Sequence, residues 1–492
     1  MKYSNQMLNE DNRKYFEKCI NSIVNMGIDF KLQNQFRKEH ISKEKAEKEF
    51  WNIPIEGKKL EDVIDYVKEF VLPYCTNFSS EKFMGFPDAG NSMAGISGAV
   101  LADFLQQNLI NSSFCAPIGT YMEIAVIRWL REIVGYKNDK IDNIVDVGGI
   151  ITYGGTGSNS IAILLARENH NKKTMKDGVR DPQRYKVVIP KGIGHYSIKS
   201  SLMWLGCGEN VIEVPTKDYR YDLQELKRVI QDNKNDIMCV VAYAGDSRGM
   251  TIDNLREVYD IVKGIDKNIW LHADACHGFS LGFSEKLKTK IQGIELFDSI
   301  STDPHKVLEV PYTISALLLK EPTKLKDIMT TSDLIMKEEY AFGQVTPFIG
   351  SKSWMSLKVW FLFQNLGKKG IAKIIERRYE MAQYLKDRLN NDKHYVVLND
   401  VDINSVMFLY VEDKDNLKWS VEEINEFNRK IKSKMDEEGL YFLHQFPIID
   451  DTGKVKKNEI VFPLRYMSGN DNLTKEDIDK MIQYVNDIAK SL

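Results

Sequence analysis

The chain has 492 residues, 43% hydrophobic and 28% charged, and its 67 basic and 70 acidic side chains leave a net charge of −3. That length supports a large core, one big domain with a smaller one. The mixed charge excludes the basic stripe of a nucleic-acid binder and the basic amphipathic end of a membrane-surface protein.

The opening, "MKYSNQMLNEDNRKYFEKC", is charged and lacks the apolar centre of a signal peptide. Residues 1–80 read as a helical segment, with "ISKEKAEKEFWNIP" and "LEDVIDYVKEFVLP" each stopped by proline. The most apolar stretch, "MAGISGAVLADFL", is too short to span a bilayer, so the expectation is a soluble, cytoplasmic protein. Over residues 81–365, β-rich runs ("YKVVIP", "DIMCVVAYAG", "NIWLHAD") alternate with helical stretches ("DLQELKRVIQD", "LREVYDIVKGI"). That alternation predicts an α/β domain around a mostly parallel sheet. Residues 366–492 begin with the long helix "GIAKIIERRYEMAQYLKDRLN" and continue as a small α+β domain. Six scattered cysteines without CxxC spacing read as reduced thiols.

Four features fall at predicted strand ends, where open α/β sheets hold ligands. In "ITYGGTGSNSIAILLAREN", Gly154, Gly155 and Gly157 make a turn after an apolar run, and Thr156, Ser158 and Asn159 can cap the helix that follows. Free N–H groups and the dipole at that helix start would bind phosphate; a purely structural turn is the alternative. In "NIWLHADACHGF", strand alternation puts His272 and Asp274 on one side. A buried Asp274 needs a cationic partner, such as a protonated heterocyclic nitrogen. Metal ligation by His272, Asp274 and His277 is the rival, without HExxH spacing to support it.

His195 follows the strand "YKVVIP" on a glycine-containing loop, where its ring could stack on a flat ligand or move protons. Lys306 lies among Val307, Leu308, Val310 and Tyr312. Such surroundings disfavour its charged form, which would lower its pKa and free the amine to attack a carbonyl. A lysine that snorkels to water is the bland alternative. A phosphate cradle, a carboxylate for a pyridinium nitrogen, a stacking ring and a Schiff-base lysine together fit one cofactor, pyridoxal 5'-phosphate.

At these residues the chain resembles the pyridoxal-phosphate group II amino acid decarboxylases, which include the aromatic-L-amino-acid and glutamate decarboxylases. "TDPHK" is similar to that family's lysine motif, "HADA" to its H-x-D-A and "GHYSIKSS" to its H-x-S-x-x-K-A. "YGGTGSNSIAILLAR" resembles its glycine-rich segment, "APIGTYMEIAVIRWL" its S-P-A-x-T-x-x-E, and "FPLRYMSGNDNLTKEDI" its C-terminal L-R segment. The resemblance implies fold type I, the aspartate-aminotransferase-like fold, and a homodimer with shared active sites, its N-terminal segment packing the dimer. It implies that Lys306 holds the cofactor, Asp274 pairs with its ring nitrogen and His195 stacks on it. Gly155 and Thr156 would hold phosphate, with Asp303 and His305 beside it. Asp246 stands where the family usually has a threonine near the cofactor, and Cys276 where an alanine packs on the ring. "FPDAGNS", with Phe86, Asp88 and Asn91, resembles the substrate-side segment.

The activity implied is decarboxylation of an L-amino acid, aromatic or hydrophobic, to the amine and CO2 through a Lys306 aldimine. One departure bears on the product. The family's loop tyrosine, which protonates the α-carbon, is absent near Leu334, and the nearest is Tyr340. Loss of that tyrosine is associated in the family with aldehyde formation. The alternatives are therefore a decarboxylation-coupled oxidative deaminase, another carbon–carbon lyase, a metal hydrolase, or a non-catalytic relative.

Overall fold

A computed structural model describes residues 7–87, 90–333, 336 and 340–492. The N-terminal segment forms helices α1 (Arg13–Lys31), α2 (Lys43–Phe50) and α3 (Leu60–Tyr66). The Ser42 side chain accepts the Lys45 N–H and starts α2, the usual use of serine before a helix. Helices α4 (Met93–Leu105) and α5 (Pro117–Ile133) lead into the main sheet.

Its seven strands are β1 (Gly149–Thr152), β2 (Lys186–Pro190), β3 (Val211–Val214), β4 (Ile237–Tyr243), β5 (Trp270–Asp274), β6 (Ser299–Thr302) and β7 (Ser315–Leu319). They lie in the order β1-β7-β6-β5-β4-β2-β3. Only β7 is antiparallel to its neighbours. Every residue of β4, β5 and β6 is buried, which explains why their runs are apolar without alternation: helices cover both faces. The crossovers carry α6 (Gly154–His170), α7 (Tyr196–Trp204), α8 (Leu223–Asn233) and α9 (Leu255–Ile265).

Because β1 to β6 run the same way, their C-terminal ends share one edge of the sheet. Ser315, the first residue of the reversed β7, reaches the same edge. That edge therefore collects the turn after β1, Asp274, Asp303 and Ser315.

Helix α10 (Ser356–Asn390) continues past the predicted start at 366 in the N-terminal direction and breaks at Gly367, whose φ of 61° and ψ of 173° leave the helical region. A left-handed φ there costs glycine little. Beyond it lie β8 (Tyr395–Val397), β9 (Ser405–Tyr410), α11 (Val421–Glu438), β10 (His444–Gln445), β11 (Leu464–Met467) and α12 (Lys475–Ser491). The four strands form an antiparallel sheet, β8-β9-β11-β10. Its own core includes Leu385, Phe408, Tyr466 and Val485, separate from the core around the large sheet. Among the described residues, no helix is long and apolar enough to cross a membrane.

One buried ion pair fastens the segment before α10 to the sheet. Lys352 and Glu123 are both fully buried, their Nζ and Oε1 3.0 Å apart, and Nζ also donates to the Ile151 carbonyl at 3.0 Å. Removing one partner of such a pair strands the other charge. Lys352→Met is expected to lower stability by about 3–5 kcal/mol in a denaturant titration. Adding Glu123→Leu should recover most of that loss; no recovery would show that Lys352 acts through something other than the pair.

Candidate active site

A cavity of about 220 Å³ opens at the shared strand edge. Gly154, Gly155 and Thr156 line it from the start of α6, His195 from the start of α7, Asp274 and Cys276 from the end of β5, and Asp303, His305 and Lys306 from the turn after β6. The four features read separately from the sequence thus meet in one place.

The start of α6 is open. Its N-cap residue, Tyr153, makes no side-chain cap hydrogen bond, so the first N–H groups of the helix lack intrahelical partners. This corrects the expected capping by Thr156, Ser158 and Asn159. Ser158 instead pairs with Thr152 (2.7 Å), and the next residue, Asn159, reaches the end of β5. Gly155 is required sterically. A Cβ there would lie 2.7 Å from the Cys276 Sγ and 2.9 Å from an Asp303 carboxylate oxygen.

Asn159, expected only as a helix cap, has a role that sequence reasoning missed. Its amide donates to Asp274 Oδ2 and to Ser197 Oγ, both at 2.9 Å. Its carbonyl oxygen accepts from Ser301 Oγ (2.9 Å) and from His272 Nε2 (3.0 Å). All the amide's capacity is used, which fixes the carboxylate behind it. Burial acts to raise the Asp274 pKa, but His195, the Cys276 thiol and the Asn159 amide outweigh it and hold the carboxyl below its ordinary value. Asp274 is therefore an ionised, nearly fully buried carboxylate facing the cavity, suited to a cationic ring nitrogen.

His195 Nδ1 lies 2.7 Å from Ser197 Oγ and accepts the Ser197 N–H at 3.3 Å, while the His195 N–H donates to the Tyr243 hydroxyl. Burial lowers its pKa, so the ring is neutral and held in place. His272 lies deeper, its Nδ1 2.8 Å from Ser299 Oγ, and His277 Nδ1 lies 3.3 Å from the Gly245 carbonyl. His272 is thus committed at both ring nitrogens and His277 at Nδ1 alone. Among the described residues no group of three His, Cys, Asp or Glu side chains could hold a metal ion.

Those two histidines have a consequence for acid stability. Burial depresses His272 to about 4 and His277 to about 3. Their neutral forms are the folded ones, so stability is fully present above the unfolded value of about 6.5 and falls as pH drops below it. The expected loss is on the order of 1.4 kcal/mol per histidine per pH unit between about pH 6.5 and 4. Urea midpoints at pH 7 and pH 5 measure it, and His277→Gln should flatten the slope. Equal midpoints would rule this origin out.

Lys306 departs from expectation in its charge. Val307, Leu308 and Val310 are buried as expected, and burial does act to lower the lysine pKa. The Asp303 carboxylate, 2.8 Å from Nζ, reverses that effect, helped by Cys276 and Asp274. The pKa is raised, and Lys306 is an ammonium in this arrangement. Asp303, fully buried, is held at about 2 by Lys306, His305 and the Ser315 hydroxyl, against the upward push of burial. His305 Nδ1 donates to the Ile314 carbonyl (2.7 Å), leaving Nε2 for the cavity. Burial together with Asp274 and Asp303 pushes the Cys276 thiol well up, so it packs as a neutral group.

Other expected residues stay outside the lining. Asp246 accepts N–H groups from Arg248, Gly249 and Thr251, which spends its carboxylate on its own turn; its neighbours Gly245 and Ser247 line the cavity instead. Phe86 packs edge-on against His444, their ring centroids 6.2 Å apart. Phe86 and Asn91 are not lining residues, and Asp88 lies outside the described residues, as does Leu334. The Tyr340 hydroxyl donates to the Ile141 carbonyl at 3.3 Å and its ring lies 5.6 Å from that of Tyr121. Arg465, in the C-terminal L-R segment, donates from Nη1 and Nη2 to the Ser247, Arg248 and Gly85 carbonyls and to His444 Nδ1. Both terminal nitrogens are thus engaged, and Nε is buried without a hydrogen-bond partner.

The family model described as the pyridoxal-dependent decarboxylase conserved domain matches residues 43–411. The chain belongs to this family. It is an amino acid carboxy-lyase that works with pyridoxal phosphate. The open start of α6 with its obligatory Gly155, the ionised Asp274, the neutral His195 and the Lys306 amine fit that cofactor. The decarboxylase is 24% identical to an aromatic-L-amino-acid decarboxylase of Bacillus atrophaeus over 90% of this chain and 88% of that one. It is 25% identical to an acidic amino acid decarboxylase of Mus musculus over 86% of this chain and 76% of that one. The crystal structure of Rhodiola rosea 4-hydroxyphenylacetaldehyde synthase superposes with a TM-score of 0.82 at 17% identity, covering 99% of this chain and 100% of that one. The architecture is fold type I.

Proposed function

We propose that the decarboxylase converts an aromatic L-amino acid to its amine and CO2. The observation that carries this reading is the convergence of Lys306, Asp274, His195 and the open start of α6 on one cavity. Lys306 would hold the cofactor, Asp274 would keep its ring nitrogen protonated, and the neutral His195 would lie against the ring. Gly155 and Thr156 would offer backbone N–H groups to the phosphate, with His305 Nε2 nearby. Bound pyridoxal phosphate supplies the electron sink for the pair left when CO2 departs. The α-carbon must then gain a proton in place of its carboxylate. The Lys306 ammonium, which lines the cavity, would deliver it.

An aromatic substrate is supported by the charge of the lining. Apart from histidines, the only cation among its described lining residues is Lys306, and both terminal nitrogens of Arg465 are spent on main-chain carbonyls and His444. A second substrate carboxylate would be desolvated there without a partner. Large apolar side chains exposed on α4 (Val100, Leu101 and Phe104) and on α7 (Met203 and Trp204) support a homodimer, which light scattering would test. We further propose domain limits of 1–80, 81–365 and 366–492, the last boundary lying beside the Gly367 break.

A second reading is favoured by the position of Tyr340. With its hydroxyl on Ile141, the loop offers no tyrosine to the cavity, and oxidative release of an aldehyde competes with protonation. Mass spectrometry of products from each common amino acid, in air with added pyridoxal phosphate, separates the readings. An amine from tyrosine, tryptophan or phenylalanine supports the first, and an aldehyde with peroxide and ammonia the second. Turnover of glutamate or aspartate alone overturns the aromatic assignment.

A further inference from the structure

Asp303 sits where a carboxylate is hardest to reconcile with the cofactor. Its oxygens lie 2.9 and 3.0 Å from where a Gly155 Cβ would be, beside the open helix terminus proposed to take the phosphate. Oδ1 accepts from the Ser315 hydroxyl. Oδ2 is buried without a hydrogen-bond partner, and among the described residues its ion-pair partner is the Lys306 ammonium, 2.8 Å away. Once Lys306 is committed to the cofactor, that ammonium is withdrawn from Asp303. A phosphate dianion would then share the α6 start with an uncompensated carboxylate, and like charges at such distances do not both stay fully ionised.

We propose that the decarboxylase binds its cofactor with one proton held between Asp303 and the phosphate, so that the phosphate is bound as a monoanion. This rests on the reading of the α6 start as the phosphate site. The balance is simple. A phosphate monoester loses its second proton at about pH 6, so above that pH each cofactor bound takes one proton from solvent, shared between a phosphate oxygen and Asp303 Oδ2. Below it the free cofactor already carries that proton.

The groups around Asp303 leave it this role. On its own turn stand Lys306 and His305, and His305 Nδ1 is committed to the Ile314 carbonyl. From β7 comes Ser315, a hydroxyl. From the end of β5 come Cys276, whose thiol stays neutral, Asp274, which adds negative charge, and His277, which is neutral. From the start of α7 comes His195, also neutral, its pKa lowered by burial and, to a smaller extent, by Lys306 and Arg248. Among the described residues, Lys306 is the one ammonium at the carboxylate, with the His305 ring as the next favourable influence.

Phosphorus-31 NMR of the holoenzyme reads the phosphate charge directly, without turnover. The bound resonance of the wild type is expected at the monoanion position through pH 8, and that of Asp303→Asn at the dianion position above about pH 6. Equilibrium dialysis of pyridoxal phosphate gives the second measurement. Wild-type affinity should weaken about tenfold per pH unit above pH 6, and the Asp303→Asn slope should vanish. A wild-type dianion, or equal slopes in both proteins, overturns the proposal while leaving the cofactor site intact. Absence of any bound resonance overturns the phosphate site and the proposal with it. The wild-type spectrum alone decides should Asp303→Asn not fold.

Discussion

Lys306→Ala is expected to end covalent attachment of the cofactor and to lower amine formation by at least about 10²–10⁴, the share of a positioned proton carrier alone. After borohydride reduction, the intact mass of the wild type should rise by that of the reduced cofactor, and the variant's should not. The ion pair with Asp303 adds a pH dependence. In the cofactor-free chain the raised pKa keeps Lys306 charged, and only the free amine attacks a carbonyl. The attachment rate should therefore climb with pH throughout the range of ordinary buffers, about tenfold per unit. Asp303→Asn, which removes the neighbouring charge, should attach faster at neutral pH. A variant lacking Lys306 that still gains the cofactor mass would place the attachment elsewhere.

The elements of the large domain were legible because buried parallel strands write themselves as unbroken apolar runs, and "DIMCVVAYAG" became β4 nearly residue for residue. His195, Asp274 and Lys306, which line one cavity, drew notice for a related reason. Each polar group follows a strand or turn whose apolar character predicts burial, and a buried polar group needs a purpose. What the sequence could not show was which group answers which. The resemblance puts Asp303 beside the phosphate, and no ion pair is read from its position three residues before Lys306. The short helical turn over Pro304–Val307 brings the two together and reverses the expected charge of the lysine. Asn159 was read as a helix cap from its local position. Its partner Asp274 lies 115 residues away in the chain, and only the sheet order, with α6 packed across the end of β5, makes them neighbours. Asp246 failed in the opposite direction, since its turn absorbs the carboxylate that position suggested for a ligand.

That long-range pairing carries the second large effect. Asp274→Asn keeps the shape but removes the charge that would hold a ring nitrogen protonated, and leaving a buried cation without its partner costs about 3–5 kcal/mol. Activity is expected to fall by about 10²–10⁴, at about 1.4 kcal/mol per decade. Asn159→Ala leaves the carboxylate in place but takes away its amide donor, a hydrogen bond to a charged group worth about 1.5–3 kcal/mol. A smaller fall of about 10–10² should follow. The two variants are distinguished by pH. With the Asn159 amide gone, burial and His195 remain as the main opposing influences on Asp274, so its pKa should rise. The acid limb of the rate profile should then move to higher pH, with most activity recovered in alkaline buffer. Asp274→Asn has no carboxyl to titrate and should show no such recovery. Identical profiles for the two would mean that Asn159 acts through its Ser197 and His272 bonds, by placing His195, rather than through the carboxylate it touches.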